Sequence, residues 1–243
     1  MKIIKLDAID STNSFLKEMA ENSIVEDFTV VVAKSQTSGR GQMNAKWEVK
    51  SGKNLTFSVF CEFRDLQIIN QKSLSYSVVL SIFEVLNRLK LPKLSVKWPN
   101  DIMSGNKKIA GVLIENVLKG KQISSSIIGI GINVNQDSFP INLPNASSLK
   151  KILNKEFNLD LLLNEIILSL QEKIEILKKK EYSFLEKEYL KVLYKKNVPS
   201  MFKDKQNILF MGKIIGVSSI GKLQIELEDE TVKEFDLKEV SFA

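Results

Sequence analysis

The chain contains no histidine and a single cysteine, and only three of its 35 basic residues are arginines (Arg40, Arg64 and Arg88). Without histidine there is no imidazole general base, no Ser-His-Asp arrangement and no supply of the commonest metal ligand. One thiol, Cys61, excludes an intrachain disulfide and cannot by itself make a zinc site, so a reducing cytoplasm is the expected location. Long apolar runs are also missing. The longest, such as Thr29 to Ala33 and Ile127 to Val134, fall far short of the roughly 18 residues of a membrane-spanning helix. Asp7 and Asp10 stand where a secretory signal would place its apolar stretch, so neither export nor a membrane is expected. The net charge of +6 and pI of about 9.1 come from lysines scattered among glutamates, which reads as a solvated surface rather than a nucleic-acid face.

What is present is ordinary in amount. Hydrophobic residues make up 44% and charged residues 26% of the 243 positions, enough for a catalytic-sized domain and a small second one. An apolar strand near Ile3–Leu6 runs into Asp10-Ser11-Thr12-Asn13, a cluster of N-cap residue types, and then into an amphipathic helix. Phe28–Ala33 reads as a strand. Lys34 to Lys53 is polar, glycine-containing and without period, a loop long enough to need a function. Alternation predicts further strands at Asn54–Phe63, Leu94–Trp98, Lys107–Glu115 and Gln122–Asn135, with a helix at Ser73–Leu89, hence a mixed, mainly antiparallel sheet. Ser147 to about Lys196 is helical in pattern. Asn197-Val198-Pro199-Ser200 breaks it, and short alternating segments follow (Ile208–Met211, Lys213–Val217, Leu223–Leu227, Thr231–Phe235). The expected organisation is therefore α+β, with a domain over 1–196 and a small β-barrel over 197–243.

The residues that punctuate structure gather in one region. Gly39-Arg40-Gly41 either turns an ordinary surface loop or aims a guanidinium at a carboxylate or phosphate. Lys97-Trp98-Pro99-Asn100-Asp101 either ends a strand in a capped turn or holds a polar ligand or hydrated Mg²⁺. Lys107 and Lys108 open an apolar strand, where a lysine faces water or an oxyanion. Gly129 and Gly131 interrupt a β-branched strand, marking a bulge or a surface against which something lies flat. No Gly-Lys-Ser/Thr follows any of these glycines, and the strand-turn-helix setting of a dinucleotide fingerprint is missing.

In order, DSTNSFLKE (10–18), QTSGRGQMNAKW (36–47), KWPNDI (97–102), KKIAGVLIE (107–115) and GIGINVN (129–135) resemble the catalytic region of biotin protein ligases. KIIGVSSIGKLQIEL and the final KEVSF resemble that family's C-terminal domain. The resemblance implies a class II aminoacyl-tRNA synthetase/biotin ligase-like sheet with helices on one face, followed by an SH3-like barrel. It implies activation of biotin by ATP and Mg²⁺ to biotinyl-5'-AMP, then transfer to a lysine of the biotin carboxyl carrier protein of a biotin-dependent carboxylase. By the same resemblance, Ser11, Thr12, Asn13, Gln36, Gly39, Arg40, Gly111, Gly129 and Gly131 line the biotin pocket, the last three leaving room for the ligand. Arg40, Gly41, Gln42, Trp47, Asn100, Asp101, Lys108 and Asn133 serve the nucleotide, Asp101 the metal, and Lys108, Arg40 and Lys97 the chemistry. Lys34 to Lys53 becomes a lid over the adenylate.

This lid departs from the family pattern at Gln42, Asn44 and Ala45, where two arginines and a glycine are usual, and Lys46, Lys50 or Lys53 is the expected replacement charge. No helix-turn-helix precedes the first strand, so DNA is not an expected partner. A homodimer through exposed sheet edges is left open. Alternatives are a lipoate or octanoate ligase of the same superfamily, whose usual histidine-containing motif is lacking, and a non-catalytic biotin- or nucleic-acid-binding module.

Overall fold

Strand β1 (Ile3–Ile9) leads through helix α1 (Thr12–Asn22) into β2 (Val30–Gln36), and β1 and β2 lie parallel, as a crossover through a helix requires. In the computed structural model, residues 2–243 are described, Asn44 by its backbone alone. Strands β3 (Leu55–Gln67), β4 (Leu94–Lys97), β5 (Asp101–Ser104), β6 (Lys107–Lys119) and β7 (Gln122–Ile132) complete a seven-stranded sheet in the order β1-β2-β3-β7-β6-β5-β4. All pairings after the first are antiparallel. Strand β5 was not anticipated: Trp98-Pro99-Asn100 is the turn of a tight hairpin in which Lys97 and Asp101 are register partners.

The two-residue period of β7 divides the molecule. Ile128, Ile130 and Ile132 face the main core, while Gly129 and Gly131 alternate onto the other face. On the core side lie α2 (Gln71–Arg88), α4 (Leu159–Lys178) and α5 (Tyr182–Val192), with the short α3 (Leu149–Leu153) at its margin. Helix α4 buries Leu163, Ile166, Ile167, Leu170, Ile174 and Leu177 at helical spacing, and truncating one of these to alanine costs about 2–5 kcal/mol. The expectation of helices on one face fails for α1. Its Leu16 packs with Val31, Phe60 and Ile127, the outward-alternating residues of β2, β3 and β7, so α1 covers part of the opposite face. That face is where the functional residues gather. Cys61 is fully buried in β3, and burial, with Asp27 nearby, pushes its thiol pKa up, keeping it protonated.

Beyond α5 a second sheet runs β11 (Val232–Phe235), β10 (Leu223–Leu227), β9 (Leu209–Val217), β8 (Pro199–Asp204) and β12 (Val240–Phe242), antiparallel throughout. The segments Ile208–Met211 and Lys213–Val217 are one strand, β9, and β8 and β12 are additional to those expected. The two sheets share a core, since Phe202, Ile214, Val217, Leu223 and Ile225 join the cluster formed by the first sheet and its helices. Across the junction the Trp98 indole N–H donates to the Gly221 carbonyl at 3.0 Å, while the segment leading into the second sheet is held by Tyr194 N–H on the Val96 carbonyl at 2.8 Å. Among the described residues, no helix is long and apolar enough to cross a membrane.

Candidate active site

A cavity of about 510 Å³ opens on the glycine-bearing face of the first sheet and is closed on one side by the second. This is a volume typical of small-molecule sites. Its floor is polar and hydrogen-bonded. Ser11 is the N-cap of α1, accepting from Ser14 N–H, so that Thr12 and Asn13 are delivered at the first turn of the helix. Gln36, at the end of β2, accepts through Oε1 from Thr12 N–H at 2.8 Å and from the Thr12 hydroxyl at 3.0 Å. Ser58 Oγ of β3 lies 2.7 Å from Thr12 Oγ1 and 2.6 Å from Asn13 Oδ1. The Asn13 amide in turn donates to Glu115 at 2.7 Å.

The glycines of β7 make this floor possible. A methyl at Gly129 would overlap the Asn13 amide, and one at Gly131 would overlap the Trp47 indole. The room expected above these glycines is thus taken by side chains of the protein itself.

The 34–53 segment leaves β2 at Gln36 and turns back on itself as a short hairpin over residues 39–47. Arg40 bridges to Lys46, Trp47 N–H donates to the Gly39 carbonyl at 2.9 Å, and Gly41 N–H to the Ala45 carbonyl at 2.7 Å. At its tip Met43 is left-handed, with φ of 51°. Lys50 N–H donates to Gln136 Oε1 at 2.9 Å and anchors the base of the hairpin. At the tip, Lys238, in the turn between β11 and β12, donates through Nζ to the Met43 carbonyl at 2.9 Å. The Trp47 Nε1–H is buried and unpartnered among the described residues. Arg40 Nη2 donates to Glu115 Oε2 at 2.8 Å.

Cations converge on the far wall. Lys108 Nζ lies 2.7 Å from Asp101 Oδ1 and 5.7 Å from the Trp47 ring centre, with Gly111 beside the pair. Lys97 Nζ lies 5.4 Å from the Phe242 ring centre. Burial holds the Lys97 pKa below the usual lysine value; Asp101 opposes that shift, while Lys108 and Lys195 add to it. Asn100 donates to the Val112 carbonyl and is fixed by it. Among the described residues no group of three or more His, Cys, Asp or Glu could hold a metal. Asp101 provides a single carboxylate, the donor set that suits Mg²⁺ arriving with nucleotide phosphates rather than a resident ion.

Of the residues assigned from the sequence to biotin, nucleotide, metal or catalysis, Gly39 and Asn133 do not line the cavity and the others do. Gly39 lies within the hairpin opposite Trp47, where a Cβ would strike the Trp47 carbonyl. Asn133 is buried past the end of β7, its N–H on the Ile109 carbonyl at 2.8 Å and its own carbonyl accepting from Leu149 N–H at 3.0 Å. Of the three lid lysines, Lys46 lines the cavity; Lys50 and Lys53 do not. The Asn44 side chain lies outside the described residues.

Sequence reasoning missed Ser58, Glu115, Lys238 and Phe242. Glu115 ends a recognised motif. Ser58 was hidden in the alternation of β3, and nothing local marks the two residues beyond β11.

The sequence profile of the biotin/lipoate A/B protein ligase family matches residues 6–133. The chain is 29% identical over 234 residues to the bifunctional ligase/repressor BirA of Bacillus spizizenii, covering 93% of this chain and 70% of that protein. It is 28% identical over 128 residues to the biotin–[acetyl-CoA-carboxylase] ligase of Paracoccus denitrificans, covering 51% of each. It is similar in structure to the biotin protein ligase of Aquifex aeolicus in complex with biotin and ATP, with a TM-score of 0.80 and 29% identity over 100% of this chain and 98% of that one.

Proposed function

The chain belongs to the biotin/lipoate A/B protein ligase family, and within it we propose that this protein is a biotin protein ligase that joins biotin to a lysine of a biotin carboxyl carrier domain. The observation that carries this reading is the convergence on one cavity of Ser11, Thr12, Asn13 and Gln36 with Arg40, Lys97 and Lys108. One end offers neutral hydrogen-bonding groups for a polar ring and the other offers cations for carboxylate and phosphate.

The first step is attack of the biotin carboxylate oxygen on the α-phosphorus of ATP, forming the acyl-phosphate bond as pyrophosphate departs. Two anions must approach, and charge accumulates on the phosphoryl oxygens. Lys108, Lys97 and Arg40 offset this without histidine, and their charges act more strongly as bound ligands displace water from around them. Asp101 keeps Lys108 in place and is the carboxylate that would hold Mg²⁺ brought by the nucleotide. When bound, the metal neutralises phosphate charge. Gly41, Gln42, Trp47 and Asn100 form the remaining nucleotide side.

In the second step, the uncharged carrier lysine attacks the acyl carbon. A C–N bond forms, the acyl–phosphate bond breaks, AMP leaves and the amine releases its proton to solvent. Here the lid hairpin matters most, because it excludes water from the mixed anhydride. A cytoplasmic location accords with the unpaired thiol of Cys61.

ATP–pyrophosphate exchange with biotin, lipoate, octanoate or no acid tests the reading. Exchange stimulated by biotin alone, followed by labelling of an apo carrier domain, is the expected result. Exchange with lipoate or octanoate in place of biotin would give the protein to the other branch of the family.

A further inference from the structure

Glu115 belongs to no part of the chemistry above, yet it joins the lid to the floor. Its Oε2 accepts from Arg40 Nη2 at 2.8 Å and from Asn13 Nδ2 at 2.7 Å. An ionised carboxylate only accepts hydrogen bonds, so the Asn13 amide must turn its NH₂ towards Glu115 and its Oδ1 away. That oxygen faces Ser58 Oγ at 2.6 Å, beneath the cavity.

The consequence emerges from counting protons. Gln36 Oε1, Thr12 Oγ1, Ser58 Oγ and Asn13 Oδ1 make three successive contacts, and the two hydroxyls supply only two protons between them. One contact in the chain is always without a donor. If Asn13 were turned over, its NH₂ would fill that deficit, but Glu115 at 2.7 Å opposes the flip, with the Leu113 carbonyl, 3.4 Å from the same amide nitrogen, as a weaker second acceptor. The floor of the cavity is therefore held short of donors.

We propose that Glu115 is a positioning residue that fixes the polarity of this floor, so that it selects a ligand presenting N–H groups, as a cyclic urea does. This rests on the biotin reading. Its carboxylate acts through Asn13 and does not touch the reacting atoms. Pairing with Arg40 is a second role, and the two are separable because only the Arg40 role depends on ligand charge.

Glu115→Gln supplies a side-chain amide able to donate to Asn13 Oδ1, which permits the flip. Binding of biotin and of the uncharged biotin amide is measured by calorimetry on wild type, Glu115→Gln and Glu115→Asp, alongside thermal melts without ligand. The expected result is a loss of about tenfold for both ligands in Glu115→Gln, the scale of one hydrogen bond made or lost in a buried site, with partial recovery in Glu115→Asp. KM for biotin should rise by a similar factor and KM for ATP should not. Unchanged binding of both ligands, or a change confined to charged biotin, overturns the proposal. If Glu115→Gln does not fold, comparison of Glu115→Asp with Glu115→Asn makes the same contrast between a pure acceptor and an amide. Failure of wild type to bind either ligand would instead overturn the biotin reading.

Discussion

Lys108 and Asp101 face each other from β6 and β5, ammonium to carboxylate at 2.7 Å, above a glycine that puts no side chain between them. Lys108→Ala removes a cation from the reacting groups and leaves Asp101 without its partner. Biotin-dependent ATP–pyrophosphate exchange should fall by about 10²–10³-fold, the usual cost of deleting one stabiliser of developing charge. The melting temperature should change little, since both side chains are partly exposed. Exchange within a few-fold of wild type would remove Lys108 from the chemistry.

Gly131→Ala should displace Trp47. A Cβ at that position overlaps the indole, and the hairpin must lift to relieve the clash. In a Trp98→Phe background the emission of the remaining tryptophan should shift to longer wavelength, and adenylation should slow by at least about tenfold through loss of positioning. Unaltered emission would mean that the indole finds room elsewhere in the cavity.

Lys238 ties the lid tip to the second sheet through the Met43 carbonyl. The contact is exposed, so Lys238→Ala should cost only a fraction of a buried charged hydrogen bond, about 0.5–1 kcal/mol. Release of preformed biotinyl-5'-AMP in a chase should then accelerate by up to about fivefold, while biotin affinity stays the same. An unchanged release rate would show that the tip is held by the hairpin alone.

Glu84 of α2 receives Lys173 of α4 at 2.7 Å and Arg88 of its own helix at 2.7 Å. The hydrogen bond from Lys173 holds its carboxyl below the usual value against the opposing effect of burial, with Arg88 contributing in the same direction. A depressed folded-state pKa means that the unfolded chain binds more protons between the two values, so stability rises with pH through that window. The contribution is complete above the unfolded value of about 4.3 and is lost as pH falls through the lower folded one. Thermal melts of Glu84→Gln should lie below wild type at pH 7, by no more than about 1 kcal/mol for pairs this exposed, and converge with it in acid. A gap that is constant with pH would assign the effect to packing.

Much of this molecule was legible in its sequence because it depends on local chemistry. Ser11 caps α1 through its own hydroxyl, and the β-branched alternation around Gly129 and Gly131 assigns one face of β7 to the core. With no histidine and no second cysteine, the chain is left with the lysine and arginine chemistry that suits carboxylate and phosphate. The motif order supplied the fold and most of the cavity lining. Element ends were less legible, because pairing with a neighbour extends β3 to Gln67 and β6 to Lys119 beyond what their own alternation predicts.

Only the tertiary structure decided how those parts act on one another. Which sheet face carries α1, what fills the space over each glycine, and which end of the Asn13 amide faces the floor are set by residues far apart in the chain. Asn13 and Glu115 are 102 positions apart, and Lys238 and Met43 are 195 apart. Sequence determines residue types and the faces they occupy within an element. The direction of a hydrogen bond between elements depends on the one register and packing that the whole core allows.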